Sequence, residues 1–131
     1  MSIPVPLRSL DGAVAERGAA AFVLTVSDRG TPHVVHAEVT TADGGLFAVV
    51  GAGTAHNAAE RPHVSVLYPC RQPDDYSLII DAISTVAATQ DGFRLHLAPT
   101  RAVLHRPAPA PDSATSPCAS DCIPLPLGFA S

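Results

Sequence analysis

The chain has 131 residues, 8 Lys+Arg against 12 Asp+Glu for a formal charge of −4, 47% hydrophobic residues and no Trp. That length suits one domain with its own core and is too short for two, and an acidic chain whose few cations are scattered offers no basic stripe to follow a nucleic-acid backbone. No window approaches the roughly 18 apolar residues of a membrane span, and Met1–Arg8 has no basic segment leading into an apolar one, so a cytoplasmic protein without nucleic-acid or membrane partners is expected.

In chain order, the first expected element is a helix over about 7–18, followed by strands over about 21–27, 33–41 and 46–51. A short helix over 55–61 then leads to strands over about 63–69, 76–88 and 93–98, with a last helix over 99–105. Asp28-Arg29-Gly30, Ala42-Asp43-Gly44-Gly45 and Gln90-Asp91-Gly92 are hairpin-type turns between these runs. From Pro32 to Ala42 the alternation puts Val35, Ala37 and Val39 on a core face and His36, Glu38 and Thr40 on the other. Six strands with tight turns and little helix suggest a small barrel, which leaves no free sheet edge.

The stretch from Gly51 to Pro62 carries the clearest chemical signal. A Gly-rich strand exit, Thr54 as an N-cap, two helical turns and a Pro stop describe a helix N-terminus. Its unpaired N–H groups, with Thr54, His56 and Asn57, would suit an anionic phosphate. On spacing alone, a plain connector in which Thr54 caps the helix and Asn57 ties down a loop is the commoner arrangement, and both readings stay open.

The ordered series of an opening helix, Phe22–Val35, Asp43–Phe47, Thr54–Asn57, Arg61–Leu67 and a later long strand resembles the pyridoxamine 5′-phosphate oxidase-like split β-barrels over residues 7 to 107. Pro99–Pro107 is similar to the C-terminal end of small actinobacterial members. The resemblance implies a mainly β, six-stranded split barrel with a few short helices, a homodimer, and FMN or the deazaflavin F420 held in clefts between subunits. It places Thr54, His56 and Asn57 at the phosphate end, His33, Val35 and His36 near the ring, and the backbone of Val49, Val50 and Gly51 at the pyrimidine edge. The activity implied is that of a flavin-binding oxidoreductase passing a hydride to an unknown small substrate. The alternative is a noncatalytic dimeric protein that binds a flavin, haem or other planar ligand, or no cofactor.

Two departures from the family pattern bear on that choice. Members that hold a flavin tightly place Lys or Arg at or beside His56, and this chain has no Lys at all; Arg61 and Arg71 are the candidates to compensate. Asp81-Ala82 stands where a Gly is common in the long strand, which would narrow the cleft.

Other reactive side chains give weaker signals. Six His residues include no HxH or HxxxH pair, so no metal site is expected, and the His36 and Glu38 pair on one strand face reads as solvated rather than as an acid–base couple. Catalytic residues are not identifiable. Cys70, Cys118 and Cys122 read as thiols, with a reversible disulfide or a zinc site as open alternatives for the Cys-x3-Cys pair. The barrel domain is expected over 1–106. Residues 107–131 form a separate Pro-rich tail that regains apolar character at Ile123, Leu125, Leu127 and Phe129, and docking on the barrel or its dimer partner is expected.

Overall fold

A computed structural model describes residues 2–108 of the chain. Strand β1 (Ser2–Pro4) precedes a 3-10 turn (Leu7–Ser9) and helix α1 (Leu10–Ala15). Strands β2 (Ala20–Val26), β3 (Pro32–Ala42) and β4 (Gly45–Val50) form a meander, and helix α2 (Ala52–Glu60) leads into β5 (His63–Tyr68), β6 (Ser77–Thr89) and β7 (Gly92–His105). Sheet order is β7-β4-β3-β2-β5-β6, and the long β6–β7 hairpin closes it into a six-stranded barrel. The seventh strand, β1, had no expectation attached to it and lies along the far end of β7, with Ile3 opposite Leu104.

Local chemistry explains the turns and the core. In the β3–β4 hairpin, Asp43 (φ 50°) and Gly44 (φ 79°) are both left-handed, the type I′ geometry that matches strand twist and favours an Asp-Gly pair. Alternation along the strands sends Ala21, Val23, Val39, Leu46, Ala48, Val64, Val66, Leu78, Ile80, Leu95 and Leu97 inward. Among the described residues the largest fully buried side chain is Tyr68, whose hydroxyl donates to the Val39 carbonyl at 2.7 Å. Burial pushes its phenol pKa up.

Three expectations need correction. Residues 99–105 are the second half of β7, because the 13-residue β6 presents Ser77–Asp81 as a template and pairing with it buries Ala102 and Val103. Pro99, which cannot donate to a ladder, sits beside a bulge where the register shifts between Asp81/Arg101 and Ala82/Pro99. The opening helix is shorter than expected, a 3-10 turn running into α1 and ending near Gly18 at φ 81°. Finally, α2 starts three residues early: Gly51 is its N-cap, and Thr54 lies inside the first turn. Residues 109–131, with Cys118, Cys122 and the expected docking of the tail, lie outside the described residues.

Candidate functional site

The barrel is split because β3 and β4 pair over only part of their length. Val39–Ala42 pair with Gly45–Ala48, whereas Pro32–Glu38 pair with β2 alone and Val49–Val50 with β7 alone. Alternate backbone N–H and C=O groups of the free β3 edge therefore face the gap. Helix α2 leaves β4 at Gly51 and closes that end of the barrel, with Ala55 and Ala58 buried and the Ser84 hydroxyl donating to the Ala58 carbonyl at 2.9 Å. Small side chains allow the helix to lie close on the strands.

A cleft of about 480 Å³ fills the gap. Its lining brings together His33, Val35, His36 and Ala37 of β3, Val49, Val50 and Gly51 at the end of β4, Gly53 and Thr54 of α2, and Asp91 of the β6–β7 turn. Seven of the nine residues expected from the sequence thus meet in one place: His33, Val35, His36, Val49, Val50, Gly51 and Thr54. The other two face elsewhere. Asn57 is buried and donates from Nδ2 to Thr25 Oγ1 at 3.2 Å, and His56 Nε2 lies 2.8 Å from Asp28 Oδ2 on the outside of the helix.

Sequence reasoning missed Ala37, Gly53 and Asp91. Signals existed for all three: Ala37 shares the Val35 face, Gly53 belongs to the Gly-rich exit, and Asp91 belongs to a recognised turn.

The first helical bond of α2 runs from the Ala55 N–H to the Gly51 carbonyl at 3.0 Å, so the N–H groups of Ala52, Gly53 and Thr54 lie ahead of the ladder. Thr54 is only 4% exposed yet lines the cleft. A Cβ built on Gly51 or Gly53 meets no atom within 4 Å, so the space above the helix terminus is open. His33 adds a buried Nδ1 with no hydrogen-bond partner among the described residues.

Among the described residues no Arg lines the cleft, and Asp91 is the one formally charged residue of its lining. Arg61, at the C-terminal end of α2, instead donates to Asp28 Oδ1 at 2.9 Å. The two contacts hold the Asp28 carboxyl below its usual range, the His56 hydrogen bond contributing most and Arg61 next. Arg71 donates to the Arg17 carbonyl and is not part of the cleft. Asp81, expected to narrow the cleft, is likewise absent from its lining; its carboxylate accepts from the Ser65 hydroxyl at 3.0 Å.

The exterior of the barrel carries a second feature next to the cleft. Cross-strand pairing sets His36, Phe22, Leu67 and Ile79 in one outward row over β3, β2, β5 and β6, with Val34 beside it at 54% exposure. Phe22 meets the His36 ring edge-on, centroids 5.3 Å apart. Among the described residues no helix is long and apolar enough to cross a membrane.

No family model matches the chain. An uncharacterized protein of Mycobacterium bovis and one of Mycobacterium tuberculosis are each 38% identical to it over 118 residues, covering 79% of this chain and 82% of theirs. Among solved structures, a proposed pyridoxamine 5′-phosphate oxidase of Listeria innocua superposes with a TM-score of 0.63 at 15% identity, covering 76% of this chain and 98% of that one. The haem storage protein HutZ of Vibrio cholerae gives 0.59 at 17% identity over 76% and 94%, and an F420 reductase gives 0.59 at 16% over 76% and 98%. At such identities the likeness is one of fold. The chain belongs to one family with its two mycobacterial relatives, and its fold is the split barrel also seen in pyridoxamine 5′-phosphate oxidase-like proteins.

Proposed function

We propose that the cleft between β3 and β4 takes the phosphate-bearing part of a flavin-type cofactor, FMN or F420, and that the protein is a cytoplasmic oxidoreductase acting on a small substrate. The observation that carries this reading is the open N-terminus of α2, with the buried Thr54 aimed into a cleft of about 480 Å³. That volume is in the range of small-molecule sites. The residues fit the group through neutral donors: the N–H groups of Ala52, Gly53 and Thr54 and the Thr54 hydroxyl would hold a phosphate, assisted by the positive end of the helix dipole.

Once bound, the cofactor would supply the hydride-transfer chemistry. The chain's own part is binding and exclusion of water. Val35, Ala37 and Val50 give the ring an apolar wall, the free edge of β3 offers backbone partners to its polar rim, and the unpartnered His33 Nδ1 is a further polar contact. The row His36, Phe22, Leu67 and Ile79, beside the cleft, is the surface on which a second copy would seat to form a homodimer.

One observation favours a second reading. Among the described residues the cleft has no Lys or Arg to pair with a phosphate, which suits a noncatalytic binding protein for haem or another planar ligand. Titration of the full chain with FMN, F420 and haem separates the two. Saturable FMN or F420 binding, weakened about tenfold by Thr54→Val and little changed by His56→Ala, together with reoxidation of the reduced bound cofactor by a small substrate, supports the oxidoreductase; flavin binding without turnover, or haem binding alone, supports the other.

A further inference from the structure

The free edge of β3 is an unpaired template beside the cleft. The Val39 N–H donates to the Ala19 carbonyl at 2.8 Å, so Val39 turns its backbone groups toward β2. Alternation turns those of Val35 and Ala37 the same way and those of Val34, His36 and Glu38 into the gap, where no strand among the described residues meets them. An edge of this length that also carries an exposed apolar side chain, Val34 at 54%, is of the kind that folded proteins cover or break.

The sequence supplies a segment suited to that edge. In Ile123-Pro124-Leu125-Pro126-Leu127-Gly128-Phe129, apolar residues alternate with prolines and a glycine. An extended chain turns the N–H groups of Ile123, Leu125 and Leu127 to one edge and the prolines, which have none, to the other. The pattern fits a strand that pairs along one edge only and keeps its prolines on the unpaired one. Reach is sufficient. Val103, near the end of β7, stands in one cross-strand row with Ile79, Leu67, Phe22 and His36, so the β3 edge lies four strand spacings, about 19 Å, across the sheet from the strand that the chain leaves. Residues 109–122 span up to about 46 Å when extended.

We propose that Ile123–Phe129 adds to the β3 edge of its own chain as an antiparallel strand, the backbone groups of Ile123, Leu125 and Leu127 bonding those of Val34, His36 and Glu38. Direction follows from the topology: β7 runs the same way as β3, because each is antiparallel to β4, so a chain that turns back after His105 runs antiparallel to β3. Directly opposed residues of an antiparallel pair share a face, which brings the apolar side chains of the segment beside Val34 and the row of His36, Phe22, Leu67 and Ile79. Main-chain bonds and alternate side chains together give such an added strand its affinity and its fit. The strand lies in the gap, so the segment and any ligand of the cleft contend for the same edge, whichever ligand that is.

Amide hydrogen exchange of the full chain without added ligand, followed by NMR, tests the pairing independently of the cofactor reading. The Val34, His36 and Glu38 N–H groups are expected to exchange about tenfold or more slower than in Leu125→Pro, which removes an N–H from the pairing edge and keeps an apolar residue. Pro124→Ala, on the opposite edge, should leave them protected. Both positions lie beyond β7, so circular dichroism should stay unchanged. Protection should also survive dilution of the protein. Edge amides that exchange freely in the unmodified chain, or protection untouched by Leu125→Pro, overturn the proposal; so does protection lost on dilution, which assigns the edge to a second copy.

Discussion

Asn57 and Thr25 bond to each other inside the barrel, Nδ2 to Oγ1 at 3.2 Å, and so anchor α2 to β2. Both residues are buried, at 7% and 2% exposure. Asn57→Ala strands the Thr25 hydroxyl and leaves a small void, for an expected loss of about 1–3 kcal/mol. Chemical denaturation measures it. Because Asn57 does not face the cleft, FMN affinity measured on the folded fraction should change far less than in Thr54→Val.

Why the sequence signalled the place but not every role follows from what each signal depends on. Alternation over two to four residues located the strands, and the Asp-Gly turns set their ends, since both are local. The split is not local: it arises where β3 and β4 part after Val39 and Ala48, a consequence of pairing to β2 and β7. Starting α2 at Gly51 instead of Thr54 fixes the helix phase, and His56, two residues beyond Thr54, is turned by about 200° to the other side. Its partner Asp28 is 28 residues earlier in the chain. Residues 99–105 contain good helix formers, Arg101, Ala102 and Leu104, yet burial against β6 outweighs so weak a preference.

Tyr68 gives a test of the core. Its hydroxyl is the buried partner of the Val39 carbonyl, at the residue where β3 stops pairing with β4. Tyr68→Phe keeps the ring and removes the donor, leaving that carbonyl short of a partner in an apolar interior. A loss of about 1–3 kcal/mol is expected, read from the denaturant midpoint with an unchanged slope. A loss near zero would mean that the carbonyl finds another donor.

The Asp28 contacts give a pH dependence of definite sign. Its carboxyl is held below the ordinary value of 3.8 by His56 and then Arg61. A group whose pKa is depressed on folding contributes stability that is present above the unfolded value and is lost as pH falls through the folded one. The tether between the β2–β3 turn and α2 should therefore loosen only in acid below the ordinary carboxylate range. Carboxyl carbon shifts of Asp28 followed by NMR report the midpoint, and both His56→Ala and Arg61→Gln should move it upward, His56→Ala by more.

Val34 tests the proposed pairing of two copies. It points outward from β3 at 54% exposure, opposite Leu24 and next to the row of Phe22, His36, Leu67 and Ile79. A charge placed there costs the isolated barrel little, since the side chain already meets solvent, but within an apolar contact it would be buried unpaired in both copies. If two copies pair as proposed, the unmodified protein should show twice the 13.5 kDa of one chain under light scattering and Val34→Glu the mass of a single chain, with circular dichroism unchanged. If the unmodified protein is itself monomeric, the row is not a self-interface, and any ligand in the cleft must be held by the residues of one chain. FMN affinity in Val34→Glu then distinguishes the two arrangements: a cleft completed by the second copy loses affinity together with the dimer, while a self-sufficient cleft keeps it.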